Sequence, residues 1–546
     1  MTCGSGTASV RLCGDRGLVV ELADELSTEI NGCVRALGAR LRDAPGVLEV
    51  VPTLRSLLLV IDPLTADRDR LAGMALQLLS DLRPDHDSAG RLIELPVVYG
   101  GDAGPDLDDV AQRSGLTRRE AIELHSRQDY RVLMLGFAPG FPYLGVMADL
   151  LRSPRLSTPR TRVPAGSVGV ADALTGVYPL PTPGGWRLIG RTPQILYDPR
   201  NPDPILFRPG DRVRFLRVAS ASFPDVPLGS PAPLHPPKRP VFEVRDPGLF
   251  TTVQDLGRTG HRNLGLPPAG AMDPSSLQFA NLLVGNRPQA AALECTAPGP
   301  ALRALDEVTV AVTGADLSAS LEGREVPLWA PIEMHAGQTL SFGAPRRGMW
   351  VYVGVAGGID IAAVLGSAAT YVPGALGGLG GRRLRAGDAV GRGEAPRRSA
   401  VPHSMALPIP AGDVAVRVLP GPQDGWFDEA SRQRFWQAAF SISVHSDRAG
   451  VRLTGPAVPA RRVEMLSDGL LPGAIQVPEG GQPIVIMGDG PTTGGYPKPG
   501  VVVSADLRLV AQARPGTRVR FVPTTIREAV DALRAWEETL RRMTSD

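Results

Sequence analysis

Lysine is almost missing from this chain: among 58 basic residues in 546, only Lys238 and Lys498 are lysine and the rest are arginine. Such usage reflects a codon-level bias. A lysine that survives it does so by chance or because a compact ammonium does what a planar guanidinium does not. Lys238 lies in a Pro-rich linker, where any solvated charge serves. Lys498 closes Thr492-Thr493-Gly494-Gly495-Tyr496-Pro497-Lys498, whose glycines let the backbone approach a ligand closely. A basic excess is also missing, and a net charge of +2 argues against a nucleic-acid footprint, which would need a clustered basic excess. Four cysteines without CxxC spacing read as free thiols in a reducing cytosol, so a cytoplasmic protein is expected. Seven histidines without HxH or HExxH spacing make a dedicated zinc site unexpected. No apolar run reaches bilayer-spanning length, and no basic, apolar signal-peptide pattern opens the chain. GxxxxGK[ST] and GxSxG are absent, and the Gly374 to Gly381 cluster lacks GxGxxG spacing. P-loop, serine-hydrolase and dinucleotide readings therefore have no support.

Glycine and proline are plentiful, at 63 and 53 residues, and they separate short alternating apolar runs. This pattern predicts a mainly β protein of many brief strands. Residues 1–88 read as an α/β domain, with strands at Leu18–Leu22 and Leu57–Ile61 and helical spacing over 28–42 and 67–82. Residues 89–218 read as a β-barrel unit, 219–240 as a Pro-rich linker and 241–395 as a second barrel. A looser linker at 396–412 leads to a third barrel at 413–523. Residues 524–546 form an amphipathic helix with Ile526, Val530, Leu533, Trp536 and Leu540 on one stripe, started by a Thr525/Glu528 capping box.

Internal repetition supports the tandem arrangement. Arg208-Pro209-Gly210-Asp211-Arg212-Val213-Arg214-Phe215 recurs as Arg514-Pro515-Gly516-Thr517-Arg518-Val519-Arg520-Phe521. Upstream stand two Thr-Gly-x-Tyr-Pro turns, at Thr175 to Pro179 and Thr493 to Pro497, which read as matching punctuation. A fainter closing strand, Leu384 to Val390, suggests a third copy, hence three barrels in tandem.

Several blocks carry candidate chemistry. Gly136 to Gly145, Pro159 to Gly169 and Gly184 to Arg191 combine glycines with Phe141, Arg162, Gly166, Ser167, Arg187 and Arg191. They read either as a cradle for a carboxylate or phosphate or as tight barrel turns with solvated arginines. In the second half, Gln254, Asp255, Arg258, Asp273, Asp447, Arg448, Gln476, Thr493 and Gly494 are binding candidates. Asp316 either orients a substrate, meets Mg²⁺ or caps a turn. His125 and His445 are general acid/base candidates or structural histidines.

These strings resemble two families joined head to tail. GFAPGFPYLG, TPRTRVPAGSVGVA and TGVYPLPTPGGWRLIGRTP, within 8–217, resemble the allophanate hydrolase subunit 1 family, associated with the B subunit of 5-oxoprolinase. TTVQDLGR, LPPAGAMD, VTGADLSA, RVLPGPQDGWF, PGAIQVP and TTGGYPK, within 242–523, resemble the subunit 2 family, or the C subunit of 5-oxoprolinase. The resemblance implies cyclophilin-like barrels in tandem after an α/β domain, one in the B-like half and two in the C-like half; prolyl isomerase activity does not follow. It implies ATP-dependent opening of 5-oxoproline to glutamate together with a separate partner protein of the LamB/YcsF type. Nucleic-acid and membrane partners are not implied, and homo-oligomerisation is left open. ATP, with Mg²⁺, would activate the lactam by phosphorylating its oxygen. On that reading Lys498 and Arg448 face the phosphoryl group and Arg162 or Arg191 the carboxylate. Asp316 or Asp489 meets the metal, with Tyr496 and His125 as further catalytic candidates. The same domains resemble the carboxyltransferase part of urea carboxylase, which would need an external biotin carrier because no Met-Lys-Met acceptor is present. Both halves also resemble a sporulation-kinase inhibitor and its antagonist.

Overall fold

The computed structural model describes residues 8–84, 90–224, 236–394, 406–462 and 465–544. Cys3, the middle of the first linker and the opening part of the second lie outside them. The N-terminal unit is a four-stranded sheet, ordered Ser9–Leu12, Gly17–Glu21, Ser56–Ile61, Val47–Pro52. Helices Thr28–Leu41 and Arg68–Asp81 cover one face, each started by a side-chain cap, Ser27 or Asp67. Every residue of Ser56–Ile61 is buried, as expected of a central strand covered on both faces. The other face of this sheet meets the last barrel: Cys13, Val19, Val51 and Leu58 pack with Leu471 and Val501.

Two closed seven-stranded barrels share one topology. The first runs Leu174–Val177, Pro142–Gly145, Asp129–Leu135, Arg212–Arg217, Leu92–Tyr99, Arg187–Arg191, Ser167–Ala171. The second runs Ile484–Ile486, Gly450–Thr454, Ala439–Ile442, Arg518–Pro523, Val414–Pro420, Gly500–Val502, Ala474–Gln476. In each, the Arg-Pro-Gly repeat leads into the closing strand, which lies parallel to the opening strand. Val213 and Phe215, like Val519 and Phe521, point into the barrel core. Each barrel also carries a two-stranded flap in the same place in the order, Arg160–Val163 with Thr182–Gly184 and Asp468–Gly469 with Thr493–Gly494.

The flaps correct one expectation. The Thr-Gly-x-Tyr-Pro turns are not equivalent: Thr175 belongs to a barrel strand, whereas Thr493 belongs to a flap. The topological partner of Thr492-Thr493-Gly494-Gly495-Tyr496 is Thr182-Pro183-Gly184-Gly185-Trp186. Glycine-proline punctuation is common to every tight turn here, so by itself it misaligns the copies.

The unit between the linkers differs from the expected barrel. Its strands form a six-stranded and a five-stranded sheet around one core that includes Phe242, Leu293, Val310, Leu340, Val351 and Val353. The chain leaves the first sheet at Pro247-Gly248, with φ of Gly248 at +65°, and enters the second as Phe250–Gln254. Pro331 sits on an edge strand, where its missing N–H costs nothing. Helix Ile526–Thr544 carries its capping box, with Thr525 N–H donating to Glu528 at 2.9 Å and Glu528 N–H to Thr525 Oγ1 at 3.3 Å. Trp536 and Leu540 pack with Phe279 and Trp329 of the middle unit. No described helix is long and apolar enough to cross a membrane. Cys13 and Cys295 are free and buried, whereas Cys33 is disulfide-bonded, against the expectation of a free thiol there.

Asn31 joins the N-terminal unit to the first barrel. Its buried Nδ2 donates to Thr53 O at 2.9 Å and Leu133 O at 3.0 Å. Asn31→Ala is expected to lower the urea midpoint, costing about 1–3 kcal/mol because buried carbonyls lose their donors; an unchanged midpoint would contradict this.

Candidate functional site

The first barrel meets the C-terminal half along a seam built from the blocks at Gly136 and Thr492. After strand Asp129–Leu135 the chain turns through Phe137 and Gly140, at φ +66° and +73°. Gly136 is required here, since a Cβ would sit 2.1 Å from Thr493 Oγ1. Behind it Phe141 packs edge-on against Tyr143, Tyr178 and Trp186, with ring centroids 5.1–5.4 Å apart. Burial raises the Tyr143 pKa, while Arg155 and the Ser467 and Thr493 side chains oppose the rise, which places its hydroxyl on the seam. From the other side, Gly494 lies on Gln476, where a Cβ would stand 2.5 Å from Nε2. The buried Gln476 Nε2 and Thr492 Oγ1 have no hydrogen-bond partner. Unsatisfied polar groups at a domain junction call for an occupant, water or ligand.

Lys498 stands beside this seam but does not face it. It is fully buried, with Nζ 3.1 Å from Asp468 Oδ2. Asp468 also accepts from Ser56 Oγ at 2.6 Å, so the pair is clamped under the N-terminal sheet. Burial works to raise the Asp468 pKa, but the Lys498 ammonium and the Ser56 hydrogen bond outweigh it and hold the carboxyl below its usual value. Cys13, beneath the pair, is pushed up to about 11, chiefly by burial.

Arg448 and Asp489 are occupied by each other. Arg448 Nε and Nη2 meet the two Asp489 oxygens at 2.9 and 3.0 Å, Nη2 also donates to Gly270 O at 2.7 Å, and Nη1 pairs with Glu294. Tyr352 donates to Glu294 at 2.7 Å. This buried network ties the middle unit to the last barrel and leaves neither residue free for phosphate or metal. His125 is in the first barrel's core, with Nδ1 2.8 Å from Tyr99 Oη and Nε2 2.9 Å from Thr175 Oγ1. Burial lowers its pKa to about 3, so it is a neutral structural histidine rather than an acid/base at the seam.

Other candidates serve local structure. Asp316 Oδ1 accepts from Ser318 N–H at 2.9 Å, and Asp447 caps the turn at Ala449 and Gly450. Asp273 caps helix Pro274–Leu283. Gly166, at φ +80°, donates to Tyr178 O, and Ser167 is buried in its strand. Arg187 pairs with Asp109, Arg191 donates to Ala165 O and stacks on Phe223, and Arg162 is exposed on the first flap. Tyr496 is partly exposed. Gln254, Asp255 and Arg258 lie on the segment entering the loop at 255–273, which is wedged between both barrels. Gly140 N–H donates to Leu264 O, and Ala269 N–H to Gly488 O, each at 2.9 Å. The seam therefore joins Phe141, Gln476, Thr493 and Gly494; it adds Gly136, Tyr143 and Thr492, which sequence reasoning marks only as parts of glycine-rich blocks, and Ser467, which it does not single out. Asp468 escapes it as well; a short polar Ser-Asp-Gly run between apolar segments is its one local signal.

Comparison with known proteins fits this two-part build. Residues 8–207 match the model for the carboxyltransferase domain, subdomain C and D, and residues 264–523 that for subdomain A and B. The chain is thus a tandem carboxyltransferase-domain protein. It is 41% identical over 286 residues to the 5-oxoprolinase C subunit of Escherichia coli (strain K12), covering 52% of this chain and 92% of that one. To the 5-oxoprolinase B subunit of Bacillus subtilis (strain 168) it is 39% identical over 222 residues, covering 38% and 92%. Urea amidolyase of Saccharomyces cerevisiae (strain ATCC 204508 / S288c) is 33% identical over 333 residues, covering 56% of this chain and 18% of that one. The crystal structure of TTHA0988 superposes with a TM-score of 0.83 at 39% identity, covering 94% of this chain and 100% of that one. The chain belongs to the families of the B and C subunits of 5-oxoprolinase, fused in one polypeptide.

Two outcomes follow from the buried charges. Lys498→Ala is expected to destabilise the fold by about 3–5 kcal/mol, because Asp468 is left buried without its partner, and Lys498→Met with Asp468→Leu should recover most of that. Thermal unfolding of the single and double variants checks this, and an unaffected Lys498→Ala would refute it. For His125 the folded pKa lies below the unfolded value near 6.5. The unfolded chain therefore takes up the proton first, and stability falls as pH drops from about 6.5 toward 3. His125→Gln should remove that component from the stability profile between pH 7 and 4; an identical profile would contradict the assignment.

Proposed function

We propose that the chain is the joined B and C component of an ATP-dependent 5-oxoprolinase. It would activate 5-oxo-L-proline by phosphorylation for ring opening to L-glutamate, with a separate partner protein of the LamB/YcsF type. The observation that carries this reading is the seam, where the Gly136–Leu144 and Thr492–Lys498 blocks meet around unsatisfied buried polar atoms. The identity of each half to a named 5-oxoprolinase component supports it. A lactam is an unreactive amide. Transfer of the γ-phosphoryl group from ATP to its oxygen releases ADP and makes the ring carbon electrophilic. Water adds there, the ring C–N bond breaks with a proton going to the nitrogen, and the acyl phosphate left behind is hydrolysed by a second water to glutamate and phosphate. Mg²⁺ would enter with the nucleotide, held chiefly by its phosphates and by water. Lys498 is assigned to positioning the flap through Asp468, not to direct phosphoryl contact.

A second reading has support in the urea amidolyase relationship and the carboxyltransferase models. There the seam would receive a carboxylated biotin from an external carrier. One assay separates the two. The purified chain, a LamB/YcsF-type protein, ATP, Mg²⁺ and 5-oxoproline are mixed and glutamate is followed. Glutamate that depends on both proteins and on ATP is expected. None, with the two proteins shown to associate, would overturn the oxoprolinase reading in favour of carboxyl transfer.

A further inference from the structure

Five arginines are buried among the described residues: Arg55, Arg187, Arg258, Arg262 and Arg448. Four have a carboxylate, supplied by Glu21, Asp109, Glu49 and Glu294 with Asp489. Arg258 has none. Only 2% of it is exposed, Nη2 donates to Ala369 O at 2.5 Å, and Nε and Nη1 are buried without any partner. The two nearest carboxylates are committed elsewhere. Asp255 accepts from Gly257 N–H at 2.8 Å, Ser367 Oγ at 2.6 Å and Ala368 N–H at 2.7 Å, and both Asp489 oxygens hold Arg448. Burial, the largest influence, lowers the Arg258 pKa, against the attraction of Asp255, Tyr197, Asp489 and Tyr371.

A buried cation with two idle donors is costly, and it persists in a native protein where an anion or ordered solvent completes it. The position favours a ligand. Arg258 follows Gln254 on the loop between the two barrels, and its Ala369 contact is next to Thr370 O, which accepts from Gln254 Nε2 at 3.0 Å. That bond fixes the amide orientation and leaves Gln254 Oε1 buried without a donor. Idle donors on Arg258 and an idle acceptor on Gln254 complement a molecule that bears both a carboxylate and an N–H. Tyr197 from the first barrel and Tyr371 enclose the same region, with Tyr197 Oη donating to Gly374 O at 2.7 Å.

We propose that Arg258 is the carboxylate subsite of this protein, with Gln254 Oε1 receiving the ring N–H of the same small acid. This deepens the oxoprolinase reading and rests on it for the ligand's identity. The assignment moves the carboxylate from Arg162 and Arg191, which lie on an exposed flap and against Ala165 and Phe223, to the loop inside the junction.

Calorimetric binding of 5-oxo-L-proline and of 2-pyrrolidone, the same ring without the carboxylate, tests it on the full chain and on Arg258→Gln and Arg258→Met. Arg258→Gln should weaken 5-oxoproline about 10- to 100-fold, the size of a lost charge-assisted contact, and leave 2-pyrrolidone unchanged. Arg258→Met should keep or raise the melting temperature of the free protein, because it removes an unpaired buried charge; a structural arginine would lower it. Equal weakening of both ligands, or a large loss of melting temperature in both variants, overturns the subsite. Formate supplies an arm independent of the substrate, and it should raise the melting temperature of the wild type alone. If 5-oxoproline fails to bind the wild type while formate protects it and not Arg258→Gln, the subsite stands and the oxoprolinase reading falls. Formate protection that is absent, or equal in both proteins, leaves ordered water as the completing group and overturns the proposal.

Discussion

The hydrogen bond from Ser56 to Asp468, and the ion pair from Asp468 to Lys498, connect segments 412 and 30 residues apart and bind the first unit of the chain to the last. Both charges are buried, so neither exists without the other and without the sheet above them. Closing this contact folds the molecule back on itself. The N-terminal sheet is laid on the last barrel while the first barrel is pressed against the 255–273 loop. Glu49 and Arg262 make a second buried pair across the same fold-back. The seam between Gly136 and Thr493 is a consequence: its walls come from different barrels, and their approach is set by these distant ties.

Duplication supplied the parts, and divergence decided their use. Both barrels close in the same order and carry a flap at the same point. In the first copy the flap leads into Arg187, paired with Asp109 of its own unit. In the second it leads to Lys498, paired with Asp468, and it faces the other barrel. One module, repeated, thus yields a wall in one place and a clamp in another, according to which surface each flap is given.

Buried arginine is the recurrent joint of the molecule. Arg448 connects the middle unit to the last barrel through Glu294 and Asp489, and Arg262 connects the loop to the N-terminal sheet through Glu49. A planar guanidinium with five donors can satisfy two carboxylates and a carbonyl at once, as Arg448 does. Against that pattern Arg258 stands out, because it is as deeply buried at the junction and yet its Nε and Nη1 have no partner.

By itself the sequence determined whatever depends on local pattern. The alternation of Val and Phe after each Arg-Pro-Gly turn marks the two closing strands. Spacing at 3.6 residues marks the tail helix, and Thr525 with Glu528 marks its start. The Gly136 and Thr492 blocks are legible as glycine-rich strings of unusual composition, though not as neighbours. Tertiary structure decided the rest. Asp468 pairs with Lys498 and also accepts from Ser56, a contact for which no periodicity gives a sign. Arg448, Asp489 and His125, whose residue types suggest chemistry, were taken up by packing, because a buried charge or imidazole must find its partners wherever the fold brings them. Two sheets replaced a barrel between the linkers, since closure of a ring depends on which edges meet, and strand pattern records faces rather than edges. Local sequence specifies the faces of elements, and the burial of charge across long separations selects which faces come together.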